Sequence, residues 1–307
     1  VERGGDTAKS KRYAVDVVAG GRDVLVVFPE GEIYYLNDTV QHFKSGAIDV
    51  AMQALTQKRE CDAAWSVFVV PMAIKYHYRH SIADILERRV QQLEKKLSYF
   101  AKKQALKERI GAIVAEVLHR KEIMLKLSAG SERLSELSDR VKDVQKSLLH
   151  ELEDRYGQAA PDEGTAAIDR SWRLSSHLRQ LVVQAKNRTS LVMNRLRSDL
   201  SELKHIAEMD SWQPHYIADN PSEDRLAEMV LKLEREVCGV KRPLQVAPRS
   251  AFVRIAKPID LGVFLQDYEQ DPRKTRRVVT EQMHETIQSL IDGVDAEFHV
   301  PSASDAG

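Results

Sequence analysis

The chain has 307 residues, of which 30% are charged, and its 46 Lys and Arg are balanced by 46 Asp and Glu. This balance excludes a strong overall field for nucleic acid or anionic lipid, so we expect no nucleic-acid partner and only local anion binding. The two cysteines, Cys61 and Cys238, lie far apart and outside any metal-ligand spacing, which indicates a reducing, cytoplasmic location without disulfides or a metal site.

The first 77 residues alternate between helical and strand patterns. A capped helix ends at a Gly-Gly pair, because glycine readily adopts left-handed backbone angles. The predicted strand Asp23–Phe28 contains the continuous apolar run Val24–Phe28, which is typical of a strand buried on both faces, and a P-E-G turn ends it. A second buried strand contains Pro71. The predicted order is a helix over residues 7–18, a strand over 23–28, a helix over 47–55 and a strand over 67–74.

No apolar run approaches the roughly 20 residues that a membrane-spanning helix needs, so we expect no span. The chain opens with Val1 and lacks the basic, apolar and small-residue regions of a signal peptide. We expect a further segment to precede it.

From Ser81 the pattern changes to long amphipathic helices, with apolar residues at alternating three- and four-residue steps. The apolar stripes contain Ile82, Leu86, Val90, Leu93, Leu97 and Phe100, then Leu134, Leu137, Val141, Val144, Leu148 and Leu152, and then Leu174, Leu178, Leu181, Leu196, Leu200 and Leu203. We expect them to form a bundle core. The alternatives are self-association and an interfacial membrane surface that uses the basic pairs Arg88-Arg89, Lys95-Lys96 and Lys102-Lys103.

A strand pattern returns over Ala251–Ala256, and a closing helix follows from about residue 272 to 293. The small, polar tail is predicted to be disordered. The sequence therefore predicts an α/β fold interrupted by a long all-helical insertion, either a helical bundle or a coiled-coil hairpin. The first α/β segment is predicted over residues 1–77 and the helical insertion over residues 78–246. The last α/β segment follows over residues 247–296, and the disordered tail over residues 297–307.

Several short motifs follow one another in a definite order along the two α/β segments. They are Arg3, V-V-F-P-E-G over residues 26–31, F-K-S-G-A over 43–47, V-P-M-A-I over 70–74, and F-V-R-I-A-K-P-I-D over 252–260. In this order they resemble the signature blocks of the glycerol-phosphate and lysophosphatidic acid acyltransferase family. The resemblance does not extend to the helices between them.

The resemblance implies an acyltransferase-type sheet flanked by helices and an enzyme similar to 1-acylglycerol-3-phosphate O-acyltransferases. Such an enzyme moves a fatty acyl group from acyl-CoA or acyl-carrier protein to a lysophospholipid or glycerol-phosphate hydroxyl, in phospholipid biosynthesis. The thioester is a co-substrate, and no other cofactor is implied. The lipid substrates imply a location at the cytoplasmic face of the membrane, peripheral to it.

The implied acceptor site contains Arg3, Glu30, Gly31 and Lys44. Arg3 offers a planar fork of N–H groups suited to phosphate oxygens, and Lys44 adds a cation near a predicted helix N-terminus. Glu30 would orient Arg3 or accept a hydrogen bond from the acceptor hydroxyl, and Gly31 would let the backbone approach the ligand closely. The supporting positions next to this site are Phe28, Pro29, Gly46 and Pro71.

The family's catalytic base is a histidine in an H-x-x-x-x-D motif upstream of the second block, and the aspartate orients its imidazole. That motif would precede Val1, so we expect residues 1–307 to be inactive alone. One match is present, from His205 to Asp210, but it follows the other blocks and is expected by chance.

Two departures from the family pattern bear on the substrate. Ala256 stands where glycine is usual, and E-I-Y-Y follows F-P-E-G in place of T-R-S, which removes a hydroxyl and a guanidinium. Tyr34, Tyr35 and Asn37 would either form a different acceptor pocket or pack the loop. The alternative function is a non-catalytic helical scaffold that retains a degenerate acyltransferase domain.

Overall fold

The computed structural model describes residues 7–31, 33–99, 104–127, 137–158, 165–184, 190–209, 211–212 and 214–297, so the predicted tail after Glu297 lies outside them. The helices are α1 (Thr7–Gly20), α2 (Gly46–Arg59), α3 (Ala83–Leu97), α4 (Leu106–Leu125), α5 (Leu137–Tyr156), α6 (Ala167–Gln184), α7 (Ser190–Met209), α8 (Pro214–Asp219), α9 (Glu223–Cys238), α10 (Leu265–Gln270) and α11 (Pro272–Glu297), with a 3₁₀ helix over Leu261–Phe264. In this part of the chain, no helix combines the length and apolarity needed to cross a bilayer.

The predicted α/β class is wrong for the residues that the structure describes. These residues are mostly helical, and their short strands form two separate two-stranded sheets, β1 with β4 and β2 with β3. The strands are β1 (Phe68–Val69), β2 (Met72–Tyr78), β3 (Arg249–Ile255) and β4 (Ile259–Asp260). An acyltransferase-type sheet is therefore not formed within the described ranges.

The apolar run Val24–Phe28 differs most from its prediction as a buried strand. It forms no strand, and its side chains are exposed, from 39% for Leu25 to 88% for Val24. Within the described ranges, no residue forms a backbone hydrogen bond with the first four residues of the run. A strand is stabilised by the ladder of a neighbouring strand and by a covering layer. Because neither is present in the part of the chain that the structure describes, the apolar sequence alone does not produce burial.

The predicted strand over residues 67–74 is divided at Pro71 into β1 and β2. Proline has no N–H to donate to a ladder, so it is favoured at such a break. Its carbonyl accepts a hydrogen bond from the Ala256 N–H at 3.0 Å. On the other side of the break, β1 pairs antiparallel with β4, with Phe68 opposite Asp260. Pro71 was predicted to lie inside one buried strand, and it lies instead at the junction of two short strands.

The sheet of β2 and β3 has an inverted polarity, in the sense that its inward side carries a charged residue and its outward face is apolar. Backbone hydrogen bonds at both ends of β2 pair it antiparallel with β3. The inward side of β2 carries Lys75, which is fully buried and forms an ion pair with Asp38 at 3.1 Å. The outward face consists of exposed apolar side chains, namely Met72, Ile74, Tyr76, Val253 and Ile255.

The chain divides into two compact units. The first comprises Val1–Ile33, Asn37–His77 and Ser250–Gly307, and the second comprises Tyr34–Leu36 and Tyr78–Arg249. In the first unit, Asp49 of α2 binds Lys11 of α1 at 2.5 Å and Arg276 of α11 at 2.8 Å. The apolar core of this unit contains Phe43, Ile48, Met52, Leu55, Val67, Ala73, Leu261, Val279, Met283 and Ile291.

The second unit is a helical bundle formed by α3 to α9. Its apolar stripes are buried in, or packed against, two clusters, while Phe100 and Leu134 lie outside the described residues. Side chains buried inside the unit are not available to a membrane surface, so the bundle-core interpretation is favoured. The stripe residues in the two cores are Ile82, Leu86, Val90, Leu93, Leu97, Leu137, Val141 and Val144 in one, and Leu152, Leu174, Leu178, Leu196 and Leu203 in the other.

Two buried ion pairs connect the helices of this bundle. Arg109 of α4 contacts both carboxylate oxygens of Glu94 in α3, at 2.8 and 2.7 Å. Arg140 of α5 contacts both oxygens of Glu122 in α4, at 2.7 and 2.8 Å. Each arginine uses two parallel N–H groups, which is the strongest geometry for a carboxylate.

Candidate functional site

The F-P-E-G motif forms a tight turn in the first unit. The Gly31 N–H donates to the Phe28 carbonyl at 3.2 Å, and Gly31 has a φ of 71°. This left-handed angle strongly favours glycine, because a Cβ would crowd the backbone. The Pro29 carbonyl accepts a hydrogen bond from the Lys44 N–H at 2.8 Å. The turn is therefore attached to the residue that begins the approach to α2.

The side chain of Lys44 lies directly over Gly31. A Cβ added to Gly31 would lie 2.9 Å from both Cε and Nζ of Lys44. Only glycine leaves room for the lysine in this position. Lys44 is exposed and lies two residues before Gly46, the first residue of α2, where the peptide dipoles of a helix N-terminus also favour anions.

Glu30 completes this arrangement with a half-buried carboxylate. Its Oε1 accepts a hydrogen bond from the Gln41 N–H at 2.7 Å. Burial raises the pKa of Glu30 above its usual range, although the Gln41 N–H and the nearby His284 act in the opposite direction. The carboxylate is thus kept in an environment that disfavours its charge, which is a feature of functional sites.

Helix α11 holds the loop that carries Gln41 and Lys44. The side-chain amide of Gln288 accepts from the Val40 N–H and donates to the Asp38 carbonyl, each at 2.9 Å. One turn earlier, His284 Nε2 lies 3.3 Å from the Val40 carbonyl, and its ring lies edge-on to Phe43 at 5.1 Å between centroids. One face of α11 therefore holds the loop that carries Gln41 and Lys44, and this loop in turn is hydrogen-bonded to the F-P-E-G turn.

The structure brings together Glu30, Gly31 and Lys44, with Phe28 and Pro29 in the turn itself. Arg3 lies outside the described residues. Gly46 begins α2 in open space, and Pro71 marks the break between two strands.

The three polar residues considered for a different acceptor pocket are engaged in packing. Tyr34 is buried among Ile168 and Ala207, and Tyr35 lies under the Arg235 guanidinium at 3.4 Å. Asn37 donates to the Tyr76 carbonyl at 2.7 Å and accepts from the Tyr76 N–H at 2.8 Å, as a neighbouring strand would. These contacts favour the packing interpretation.

The chance H-x-x-x-x-D match is also engaged elsewhere. His205 Nε2 lies 3.1 Å from a Glu236 carboxylate oxygen, and Asp210 lies outside the described residues. His205 and Lys121 hold the pKa of Glu236 at about 2, although burial alone would raise it. The histidine therefore belongs to an ion-pair cluster of the helical bundle.

Three residues at this site, Gln41, His284 and Gln288, were not predicted from the sequence. Val40 and Gln288 are 248 positions apart, and neither carries a motif that would predict their contact. For the described residues, no group of three or more His, Cys, Asp or Glu side chains could hold a metal ion. No family model, curated protein or solved structure matches the chain.

Replacing Glu30 by glutamine is expected to stabilise the first unit more at neutral than at acidic pH. The folded-state pKa of Glu30 is raised, so the folded protein binds its proton more readily than the unfolded chain. As the pH rises from the pKa of Glu30 in the unfolded chain to its pKa in the folded protein, ionisation of the carboxyl group therefore lowers the free energy of unfolding. At lower pH the group is protonated in both states and this loss is absent. Glutamine still accepts from the Gln41 N–H. Urea unfolding of both proteins at several pH values measures this, and an equal difference at every pH would contradict it.

Proposed function

We propose that the chain belongs to an acyltransferase that transfers a fatty acyl group from a thioester to the hydroxyl of a phosphate-bearing lipid acceptor. The observation that carries the proposal is the position of Lys44 over Gly31, which follows the half-buried Glu30 in the same turn. This places a cation, a side-chain-free backbone and a hydrogen-bond acceptor around one turn. The resemblance of the F-P-E-G and F-K-S-G-A motifs supports the same assignment.

The proposed roles follow from the chemistry of each group. The Lys44 ammonium binds the phosphate of the acceptor, with support from the N-terminus of α2. The Glu30 carboxylate accepts a hydrogen bond from the acceptor hydroxyl and so orients it. Its environment disfavours the charged form, and a hydroxyl donor would offset part of that cost.

In the proposed reaction, the acceptor oxygen attacks the thioester carbonyl, a C–O bond forms and the C–S bond breaks. The hydroxyl proton passes to a general base and then to the departing thiolate. The resemblance implies that this base is the histidine of an H-x-x-x-x-D motif. The groups proposed for the acceptor do not include this base, so acceptor binding can be measured on residues 1–307 separately from turnover.

We expect residues 1–307 to bind glycerol 3-phosphate, as measured by isothermal titration calorimetry, and Lys44→Ala to weaken binding by about tenfold or more. The reason is the loss of a charge-assisted contact, and tenfold corresponds to about 1.4 kcal/mol. Lys274→Ala, which removes an exposed lysine of α11, is the matched control and should bind normally. Equal affinities of wild type and Lys44→Ala would overturn the proposed site.

Turnover of labelled acyl-CoA and lysophosphatidic acid tests the location of the base. We expect none from residues 1–307 alone. Robust turnover would place the base among these residues, and His284, next to Glu30, is then the first side chain to replace.

The alternative is a helical scaffold without catalytic activity. It is favoured by the extensive buried core of the second unit and by the exposed run Val24–Phe28, which forms no sheet within the described ranges. A scaffold function gives no role to the position of the Lys44 side chain over Gly31. Absence of glycerol 3-phosphate binding would favour it.

A further inference from the structure

The run Val24–Phe28 has the exposure pattern of a strand that lacks a neighbour. Its five side chains are, in chain order, 88%, 39%, 65%, 45% and 79% exposed. This alternation matches the two-residue period of an extended chain, in which successive side chains point to opposite sides. Valine and phenylalanine, which form most of the run, are also among the residues that favour strands.

The backbone of this run is open to a partner strand. Within the described ranges, the first four residues form no backbone hydrogen bond, and the Phe28 carbonyl accepts one from the Gly31 N–H in the turn. Proteins usually protect an exposed strand edge with charged residues, proline or a short strand length. No charged residue or proline interrupts Val24–Phe28, so its edge remains available for pairing with another chain.

The charges at the two ends of the run favour an antiparallel partner of the same sequence. Arg22 precedes the run, is exposed and forms no ion pair with any residue that the structure describes, while Glu30 follows the run. If two copies paired in parallel and in register, each of these charges would meet its own kind. An antiparallel pair centred on Val26 instead brings Arg22 of one copy to the end that carries Glu30 in the other. Opposite charges across a strand pair are favourable and like charges are not.

Pro29 indicates which edge of the strand the partner would occupy. In an antiparallel pair, every second residue exchanges backbone hydrogen bonds with the partner, and the N–H groups between point to the other edge. If Val24, Val26 and Phe28 are the bonded positions, Pro29 lies between them and its missing N–H costs nothing. In the other alternation Pro29 would itself be a bonded position without a donor.

We propose that residues 24–28 pair with the same residues of a second copy of this chain, as antiparallel strands centred on Val26, to form a two-fold symmetric dimer. Such an interface is self-complementary, because each copy gives and receives the same contacts. The two copies carry no net charge, so no long-range repulsion opposes their approach.

The dimer is expected to be weak. One short strand pair buries less than the roughly 1,200–2,000 Å² of stable complexes, so we expect a dissociation constant on the order of 10–100 µM. The ladder ends at Phe28 and contains none of the groups proposed for the acceptor. The inference therefore does not rest on the proposed function.

Sedimentation equilibrium of residues 1–307, from about 1 to about 500 µM, tests the pairing. Val26→Pro is expected to raise the dissociation constant by about tenfold or more, because it removes an N–H at a bonded position in both copies. Val27→Pro is the matched control, since it changes the neighbouring valine, whose N–H points away from the partner. Both positions are exposed, so neither change should disturb the core, and the thermal midpoint checks this.

The outcomes separate this pairing from other kinds of self-association. Dimerisation that is weakened by Val26→Pro and kept by Val27→Pro supports the proposal. A wild-type protein that stays monomeric throughout the series overturns it, and so does an equal loss in both proline variants, which indicates unspecific apolar contact. Loss in Val253→Glu with normal dimerisation of Val26→Pro would assign the interface to the outward face of the β2–β3 sheet, and this also overturns it.

Amide hydrogen exchange, followed by NMR at low and high protein concentration, gives a second test. The proposal predicts slow exchange at Val24, Val26 and Phe28 in the concentrated sample only, and fast exchange at Leu25 and Val27 in both samples. Protection at low concentration would show that another segment of the same chain covers the run. Protection of all five amides would place the run between two neighbouring strands. Either result overturns the two-fold pair.

Discussion

Replacing Arg140 by alanine is expected to lower the free energy of unfolding of the second unit by about 3–5 kcal/mol. The side chains of Arg140 and Glu122 are almost fully buried, with 7% and 4% exposed, and they share two parallel hydrogen bonds. The truncation leaves the Glu122 carboxylate desolvated and without its main partner, which costs far more than the pair itself contributes. Urea unfolding followed by far-UV circular dichroism measures the loss.

Two controls separate this effect from a loss of packing. The double variant Arg140→Met with Glu122→Leu removes both charges and should recover most of the lost stability. Arg277→Ala removes one partner of an exposed pair, 73% and 65% accessible at 4.0 Å, and should change stability by less than about 1 kcal/mol. A stability loss below about 1 kcal/mol for Arg140→Ala would show that the pair is solvated in solution.

Replacing Gly31 by valine is expected to weaken glycerol 3-phosphate binding by about tenfold or more, as Lys44→Ala does, and to destabilise the first unit by about 1–3 kcal/mol. The two effects have different causes. A β-branched residue at a φ of 71° is strained, which accounts for the stability loss. The new side chain also occupies the position of Lys44 Cε and Nζ, and the flexible lysine moves away, which removes the cation from the turn.

The double variant Gly31→Ala with Lys44→Ala distinguishes these causes. Without the lysine there is no clash, so any remaining destabilisation comes from the backbone angle. Gly46→Ala is the matched control, because nothing lies within 4 Å of its added Cβ, and it should bind normally. Normal glycerol 3-phosphate binding by Gly31→Val would contradict the position of Lys44 in the proposed site.

The helical bundle could be predicted from the sequence because its signal is local. Residues such as Leu86, Val90 and Leu93 recur with the helical period, and all three are buried. The period requires only that one face of each helix be covered, whichever helix covers it. Patterns of this kind survive any arrangement of the neighbouring helices.

The sheet could not be predicted in the same way, because a strand depends on partners distant in sequence. Val24–Phe28 has a strong strand pattern, yet within the described ranges no strand lies beside it. Conversely, the side chain of Asn37 pairs with the Tyr76 backbone 39 positions away, a contact that no local pattern predicts. Apolar content and strand propensity determine whether a segment is able to form a strand. The strands available beside it determine whether that strand forms.

The candidate site was predictable in part for the same physical reason. Glu30, Gly31 and Lys44 lie in motifs whose residues are close in sequence, so their proximity follows from one turn and one helix start. His284 and Gln288 act through hydrogen bonds to a loop more than 240 positions away, and nothing in their own surroundings signals it.

The inverted polarity of the β2–β3 sheet also has a consequence for handling the protein. An exposed apolar face made of Met72, Ile74, Tyr76, Val253 and Ile255 is expected to lower the solubility of the protein. Sulfate and other strongly hydrated salts favour the removal of such a face from water, so salting-out should begin at modest concentrations. Low ionic strength and dilute stocks are the conditions in which the titrations described above will report ligand binding and not precipitation.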